Sequence, residues 1–313
     1  MPAKGRLKDL AKASLFQIYK AGLRAGIQIL PAHYYSPAPD PRELRRTEAN
    51  WRRRSSMVGV DTDADRQLHA LREMCEPYRA EYSPNRVYRE ATAQNMGSGY
   101  GFVEAQALHG VLRAFKPGRV IEIGSGVSTS CMRAALDMNR AEGHASHLTA
   151  IEPYPAPALR AAPDLDLIES PVQAVPTETF EALGAGDLLF VDSTHVVKPG
   201  SDVNYVVLEV LPRLKPGVIV QVHDIYIPYD FQRTLYDTML HWNESTLYHA
   251  FLLHNSHARI LFNLSQLHYD RPEALQDLFP GYVPEANDNG LGPSERTGDR
   301  HFPASLYIEI TEG

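Results

Sequence analysis

The stretch Val120-Ile-Glu-Ile-Gly-Ser-Gly126, continuing as Val127-Ser-Thr-Ser130, decides the fold. A short apolar run breaks at a Gly-Ser-Gly turn, and the hydroxyl residues that follow suit a helix start. Working outward, the same alternation recurs. Strands are predicted at 119–123, 147–151, 166–169, 187–191, 217–222 and 258–264, and helices at 102–115, 129–140, 156–161, 177–183, 203–214 and 229–242. Runs such as Leu188-Leu-Phe-Val191 are continuously apolar, as strands of a parallel sheet covered by helices on both faces must be. The pattern is that of an α/β, doubly wound sheet. A last strand is expected at 305–310, after a Gly/Pro/Asn-rich loop (281–303) that closes a stretch, 265–303, read as a surface insertion.

In a doubly wound sheet the ligand lies beyond the carboxyl ends of the strands, and glycines in the first turn let it approach the backbone. Here the third glycine of the dinucleotide fingerprint is replaced by Thr129, which disfavours a pyrophosphate ligand. The other strand ends are polar. Glu152 follows the second strand, where a carboxylate can accept hydrogen bonds from both hydroxyls of a ribose. Asp192 follows the fourth, in Phe190-Val-Asp-Ser-Thr-His195, and His223-Asp224 follow the fifth, in Val220-Gln-Val-His-Asp-Ile225. Core packing asks for apolar or turn residues at such positions, so this rim reads as a ligand site.

The segments Glu122-Ile-Gly-Ser-Gly126 with Ser128-Thr129, Ile151-Glu152-Pro-Tyr154, Asp187-Leu-Leu-Phe-Val-Asp192 and Leu211-Pro-Arg-Leu-Lys-Pro-Gly217 resemble the class I S-adenosylmethionine-dependent methyltransferases over roughly residues 95–264. The resemblance implies a seven-stranded, mostly parallel Rossmann-like sheet whose final strand is antiparallel and inserted between the fifth and sixth. It implies S-adenosylmethionine as cofactor, with Gly124, Ser125 and Gly126 under the methionine part and Glu152 on the ribose. Glu122, Thr129 and Asp192 complete the expected cofactor set, Glu122 as the acid of the first motif.

Asp192-Ser-Thr-His195 together with His223-Asp224 also look like the Asp-x-x-His and acid-acid pairs of metal-dependent O-methyltransferases of the catechol and sugar or antibiotic type. That implies a divalent cation on Asp192, His223 and Asp224. It makes His195 the general base, helped by Asp192, with the neutral imidazole expected to be abundant near pH 7. His223 departs from the usual oxygen ligand, which weakens a magnesium site and favours zinc, manganese, iron or no metal. Tyr226, Tyr229 and Asp230 are expected to overhang an acceptor pocket, and Asp202 with Asn204 and Tyr205 to cap the helix after the fourth strand. The implied activity is methyl transfer to a hydroxyl of a small molecule or glycan. The alternatives are transfer to nitrogen or carboxylate, and a non-catalytic scaffold on the same fold.

The charge is uneven. The chain of 313 residues carries a net −7, yet residues 1–54 hold twelve basic residues against four acidic ones. An acidic body with a basic arm is not a nucleic-acid domain, whose positive field should lie on the folded face. The domain plan is a helical extension over 1–94 and a cofactor-binding domain over 95–313. Apolar residues from Leu7 to Leu30, including Leu10, Leu23 and Ile27, predict a helix over 5–30. It is expected to pack on the body or on a second subunit of a homodimer, or else to touch an anionic membrane surface peripherally. Cys75 and Cys131 are too few for a disulfide framework, and no apolar run is long enough to span a membrane. A cytoplasmic setting is the expectation.

Overall fold

The strands form one sheet in the order β3-β2-β1-β4-β5-β7-β6. They are β1 (Arg119–Ile123), β2 (His147–Ile151), β3 (Asp166–Ile168), β4 (Leu188–Val191), β5 (Ile219–Val222), β6 (Ala258–Asn263) and β7 (Leu306–Ile310), and the helices include the short α4 (Arg79–Tyr82), α5 (Arg86–Ala93), α8 (Pro157–Arg160) and α9 (Glu178–Glu181) besides those described below. All neighbours are parallel except β7, which runs antiparallel between β5 and β6. This computed structural model describes residues 2–94, 99–283, 289–292 and 302–313, with side chains from residue 12 onward. The Met96-Gly-Ser segment and most of the loop 284–301 lie outside the described residues.

Alternate strand residues feed two cores. Val120, Leu188, Phe190 and Ile219 pack on one face with α3 (Ala64–Cys75), α6 (Phe102–Phe115) and α7 (Val127–Ala141). Ile121, Ile123, Leu189, Val191 and Val220 face the other way, onto Phe180, Val206 and Tyr248. A sheet buried on both sides tolerates no one-residue slip, so the register that aligns the strand ends into one rim is set by packing alone.

The chain divides into two compact units, Met1–Trp51 and Arg52–Gly313. Residues 64–93, grouped by sequence with the N-terminal extension, therefore belong to the body: Leu71, Cys75, Tyr82 and Ala91 are in its core. In the first unit α1 (Pro2–Arg24) ends short of residue 30, because Gly26 adopts φ +73° and Ile27 N–H returns to the Gly22 carbonyl at 2.9 Å. Leu15, Phe16, Leu23 and Ile27 of this unit are exposed. Residues 31–40, with Pro31, Pro37 and Pro39, lead into a helix that no expectation covered, α2 (Pro41–Trp51), with proline in its first position and Asp40 accepting from Arg42 N–H at 2.9 Å. Among the described residues no helix is long and apolar enough to cross a membrane.

Three further expectations are corrected. Residues 229–242 are not a helix but a run of turns. Tyr229 and Phe231 are both buried two residues apart, a spacing that one helix face cannot bury. The helix follows instead, as α11 (Glu244–Leu252). The stretch 203–214 is not one regular helix: α10 (Asp202–Tyr205) passes into a π-helical Val206–Val210 and a 3-10 turn Leu211–Arg213. Pro212 has no N–H and would clash with the carbonyl four residues back, so the α-helical ladder cannot continue. Finally, the stretch after β6 is not a surface insertion throughout. It begins with α12 (Leu264–Asp270) and α13 (Pro272–Leu278), whose Leu267, Leu275 and Leu278 are buried in the core.

Candidate active site

The first turn is built around one close approach. Gly124 has φ +87°, and a Cβ there would stand 2.0 Å from the Asp192 carbonyl oxygen, so only glycine lets β1 and β4 end side by side. Gly126 N–H donates to Thr129 Oγ1 at 2.9 Å, and Ser128 Oγ donates to Glu122 Oε1 at 2.6 Å. Thr129 and Glu122, expected on the cofactor, are thus fully buried and brace the turn. Burial pushes the Glu122 carboxyl up to about 8, against the opposing pull of the hydroxyls of Ser128 and Thr129. Glu152, partly exposed at the end of β2, accepts from Tyr154 N–H at 2.8 Å and from Ser125 Oγ at 3.4 Å. Gly124, Ser125, Glu152 and Asp192 therefore meet along one rim.

At the ends of β4 and β5 the side chains of Asp192, His195, His223 and Asp224 converge. His195 Nε2 lies 3.4 Å from Asp192 Oδ1 and 3.6 Å from Asp224 Oδ2. His223 Nδ1 lies 3.3 Å and 3.4 Å from the same two oxygens. Donor atoms of Asp192, His195 and His223 fall within 4.8 Å of one another, a grouping able to hold a metal ion. His195 and Asp224 both have left-handed backbones, φ +60° and +56°, an uncommon conformation that gathers here at two of the four converging residues. The loop between Asp192 and His195 is shaped by Asp202, which accepts from Thr194 N–H at 2.9 Å and Oγ1 at 2.6 Å. The cap of α10 is Ser201 and not Asp202, as Ser201 Oγ accepts from Asn204 N–H at 3.2 Å.

Each histidine is backed by a second, buried carboxylate. His195 Nδ1 bonds Glu244 Oε2 at 2.9 Å, and its ring lies 4.6 Å from that of Trp242. His223 Nε2 bonds Glu104 Oε2 at 3.2 Å, beside the ring of Tyr100. The electrostatics follow. Burial disfavours the His195 imidazolium, but hydrogen bonds to Asp192 and Glu244 and the charge of Asp224 outweigh it and raise its pKa to about 10. That direction runs against the expected neutral imidazole, because the surrounding carboxylates favour the charged ring. Burial likewise opposes charge on His223, and Asp224, Glu104 and Asp192 reverse it, moving its pKa well up. Asp192, despite burial, is held far below the usual carboxylate range by His223 and His195.

Of the expected acceptor contacts, Tyr226 reaches the cluster, donating from its hydroxyl to Asp224 Oδ1 at 3.0 Å. Tyr229 is buried against Phe231 and Tyr269, while Asp230 is exposed. Glu104, Trp242 and Glu244 were not anticipated. Glu104 carries no signal in the sequence beyond that of an acid in the first turn of a helix. Glu244 was hidden behind the misplaced helix at 229–242, although Asn243 before it is a fair helix-start signal.

A family described as "Methyltransferase domain" matches residues 121–225. A protein of Archaeoglobus fulgidus, described only as uncharacterized, is 28% identical over 188 residues, covering 56% of this chain and 83% of its own. Among solved structures, the O-methyltransferase TomG from Streptomyces achromogenes, in complex with SAM, is 15% identical, with 82% of this chain and 93% of that one covered at a TM-score of 0.41. MycE, a methyltransferase of the mycinamycin biosynthetic pathway in complex with Mg and SAH, is 13% identical, with 72% and 54% covered at a TM-score of 0.36. The strand order and the inserted antiparallel β7 are those implied by the resemblance read from the four segments between Glu122 and Gly217, and the matched family has a methyltransferase description.

Proposed function

We propose, starting from a chain that carries a class I S-adenosylmethionine-dependent methyltransferase domain, that the acceptor is a hydroxyl of a small molecule or glycan and that His195 removes its proton. The observation that carries this reading is the Glu244–His195 pair beside Asp192. Glu244, 2.9 Å from Nδ1, fixes the ring so that Nε2 points at the rim where β4 and β5 end. A sulfonium methyl needs little activation, so the protein's part is to align the acceptor and take its proton. A nitrogen or carboxylate acceptor needs no base of this kind, whereas a hydroxyl does.

A divalent cation on Asp192, His223 and Asp224 is the reading we favour; the donor atoms that lie within 4.8 Å of one another are those of Asp192, His195 and His223, and Asp224 Oδ2 is 3.4 Å from His223 Nδ1. His223 Nδ1 is buried and makes no hydrogen bond, although it faces both carboxylates, which is the situation a shared cation relieves. Bound there, a cation would act as a Lewis acid on the acceptor oxygen and offset the negative charge that holds His195 protonated. His195 suits the base role better than a ligand role. It is the more open of the two rings, with its side chain 8% exposed against 1% for His223, and its contacts to the carboxylates are the longer ones.

Incubation with S-adenosylmethionine and a panel of hydroxylated metabolites and glycans should yield a product heavier by one methyl group. His195→Ala should lower turnover by about 10²–10⁴-fold while leaving S-adenosylhomocysteine affinity unchanged. Full activity in that variant would remove His195 from the mechanism.

A further inference from the structure

We propose that Glu104 is a positioning residue that holds His223 in the tautomer whose Nδ1 lone pair faces Asp192 and Asp224, and that this makes the site prefer a nitrogen-accepting cation of the zinc class over magnesium. The inference rests on the reading that a cation sits at this rim, and it adds a residue outside the matched span 121–225.

Glu104 is fully buried in the first turn of α6. Its Oε2 accepts from Gly101 N–H at 3.1 Å, and its Oε1 accepts from Ala304 N–H at 3.0 Å and from Ser305 Oγ at 2.9 Å. Backbone N–H groups can only donate, so both carboxylate oxygens are committed as acceptors. His223 Nε2, 3.2 Å from Oε2, must then carry a proton, because two lone pairs would otherwise face each other in a dry site. The surrounding carboxylates favour a second proton on Nδ1, and a cation must displace it; in the neutral ring a cation requires, the lone pair is then on Nδ1.

Nδ1 is 3.3 Å from Asp192 Oδ1 and 3.4 Å from Asp224 Oδ2, and is bonded to neither. A proton on Nδ1 could satisfy one carboxylate and is aligned with neither, whereas a cation held by Nδ1 and the Asp192 carboxylate uses the lone pair. Imidazole suits zinc, cobalt and iron, while magnesium prefers oxygen. A carboxylate behind a ligating histidine is the usual outer partner in such centres, and its loss typically weakens metal binding about 10–100-fold.

The test uses the full chain, stripped with chelator, with Zn²⁺, Co²⁺ and Mg²⁺ as probes. Wild type should bind one Zn²⁺ or Co²⁺ per chain more tightly than Mg²⁺, with a visible ligand-field band for Co²⁺. Glu104→Gln should weaken Co²⁺ binding about 10–100-fold and shift that band, with S-adenosylhomocysteine affinity retained. Because Glu104 also ties down Ala304 and Ser305, His223→Asp serves as a second variant: its all-oxygen set should swing the preference towards Mg²⁺. A wild type that favours Mg²⁺, an unshifted Co²⁺ band in Glu104→Gln, or a zinc preference surviving in His223→Asp overturns the proposal. The outcomes keep the two readings apart: a wild type that binds none of the three ions but retains S-adenosylhomocysteine rejects the cation at this rim, whereas tight Co²⁺ binding indifferent to Glu104→Gln rejects only the role of Glu104.

Discussion

Replacing Gly124 by alanine should damage the site more than it damages any other turn, and the structure gives the size of the effect. At φ +87° an L side chain pays backbone strain of about 1–2 kcal/mol. The added Cβ would also sit 2.0 Å from the Asp192 carbonyl oxygen, more than about 1 Å inside an ordinary carbon–oxygen contact. The obstacle is backbone and cannot rotate away, so β1 and β4 must part at their ends, at a further cost of about 1–3 kcal/mol. Gly143 provides the control: its φ is +89°, but nothing lies within 4 Å of the position a Cβ would take. Urea unfolding of the two alanine variants should therefore differ by about 1–3 kcal/mol, with Gly124→Ala the less stable. Only Gly124→Ala should also displace Asp192 and weaken Co²⁺ binding. Equal stabilities and intact Co²⁺ binding in both would refute the close approach as the reason for this glycine.

Two further outcomes are expected. Glu122 keeps its proton in the folded protein up to about pH 8, whereas the unfolded chain releases it near its ordinary value of 4.5. The folded state thus binds the extra proton between these values and loses stability as pH rises through them, with a steepest slope of about 1.4 kcal/mol per pH unit. Glu122→Gln removes this loss, so its urea midpoint should gain on wild type from pH 5 to pH 8; a constant offset would show that the acid titrates normally. The exposed apolar residues Leu15, Phe16, Leu23 and Ile27 should be covered by a second copy of the chain, so deletion of residues 1–30 should reduce the sedimentation mass. An unchanged number of chains per particle with loss of binding to anionic vesicles would assign the segment to a membrane surface instead.

The sheet was legible because its signals are local and redundant. Each strand is short, apolar and closed by a turn residue, and the Gly124–Gly126 turn, Glu152, Asp192 and His223-Asp224 each stand at a strand end, where alternation alone locates them. The outer carboxylates were not legible. Glu104 and Glu244 meet His223 and His195 only through contacts 119 and 49 residues apart in sequence, set by how α6 and α11 pack on the sheet. The charge state of His195 was misread for the same reason: besides Asp192 in its own segment, Glu244 and Asp224 also raise its pKa, and neither of these two proximities is written there. Residues 229–242 misled because buried aromatics imitate helical periodicity when their true spacing, at Tyr229 and Phe231, is two.

The central claim is that the rim of Gly124, Ser125 and Glu152 holds S-adenosylmethionine by its ribose and methionine ends, and calorimetric titration of the full chain with S-adenosylhomocysteine tests it most directly. Wild type should bind one molecule per chain, and Glu152→Ala should lose about 1.5–3 kcal/mol, the cost of removing a charged acceptor from its hydrogen-bond donors. No binding by wild type, or an affinity indifferent to Glu152→Ala, would contradict the account.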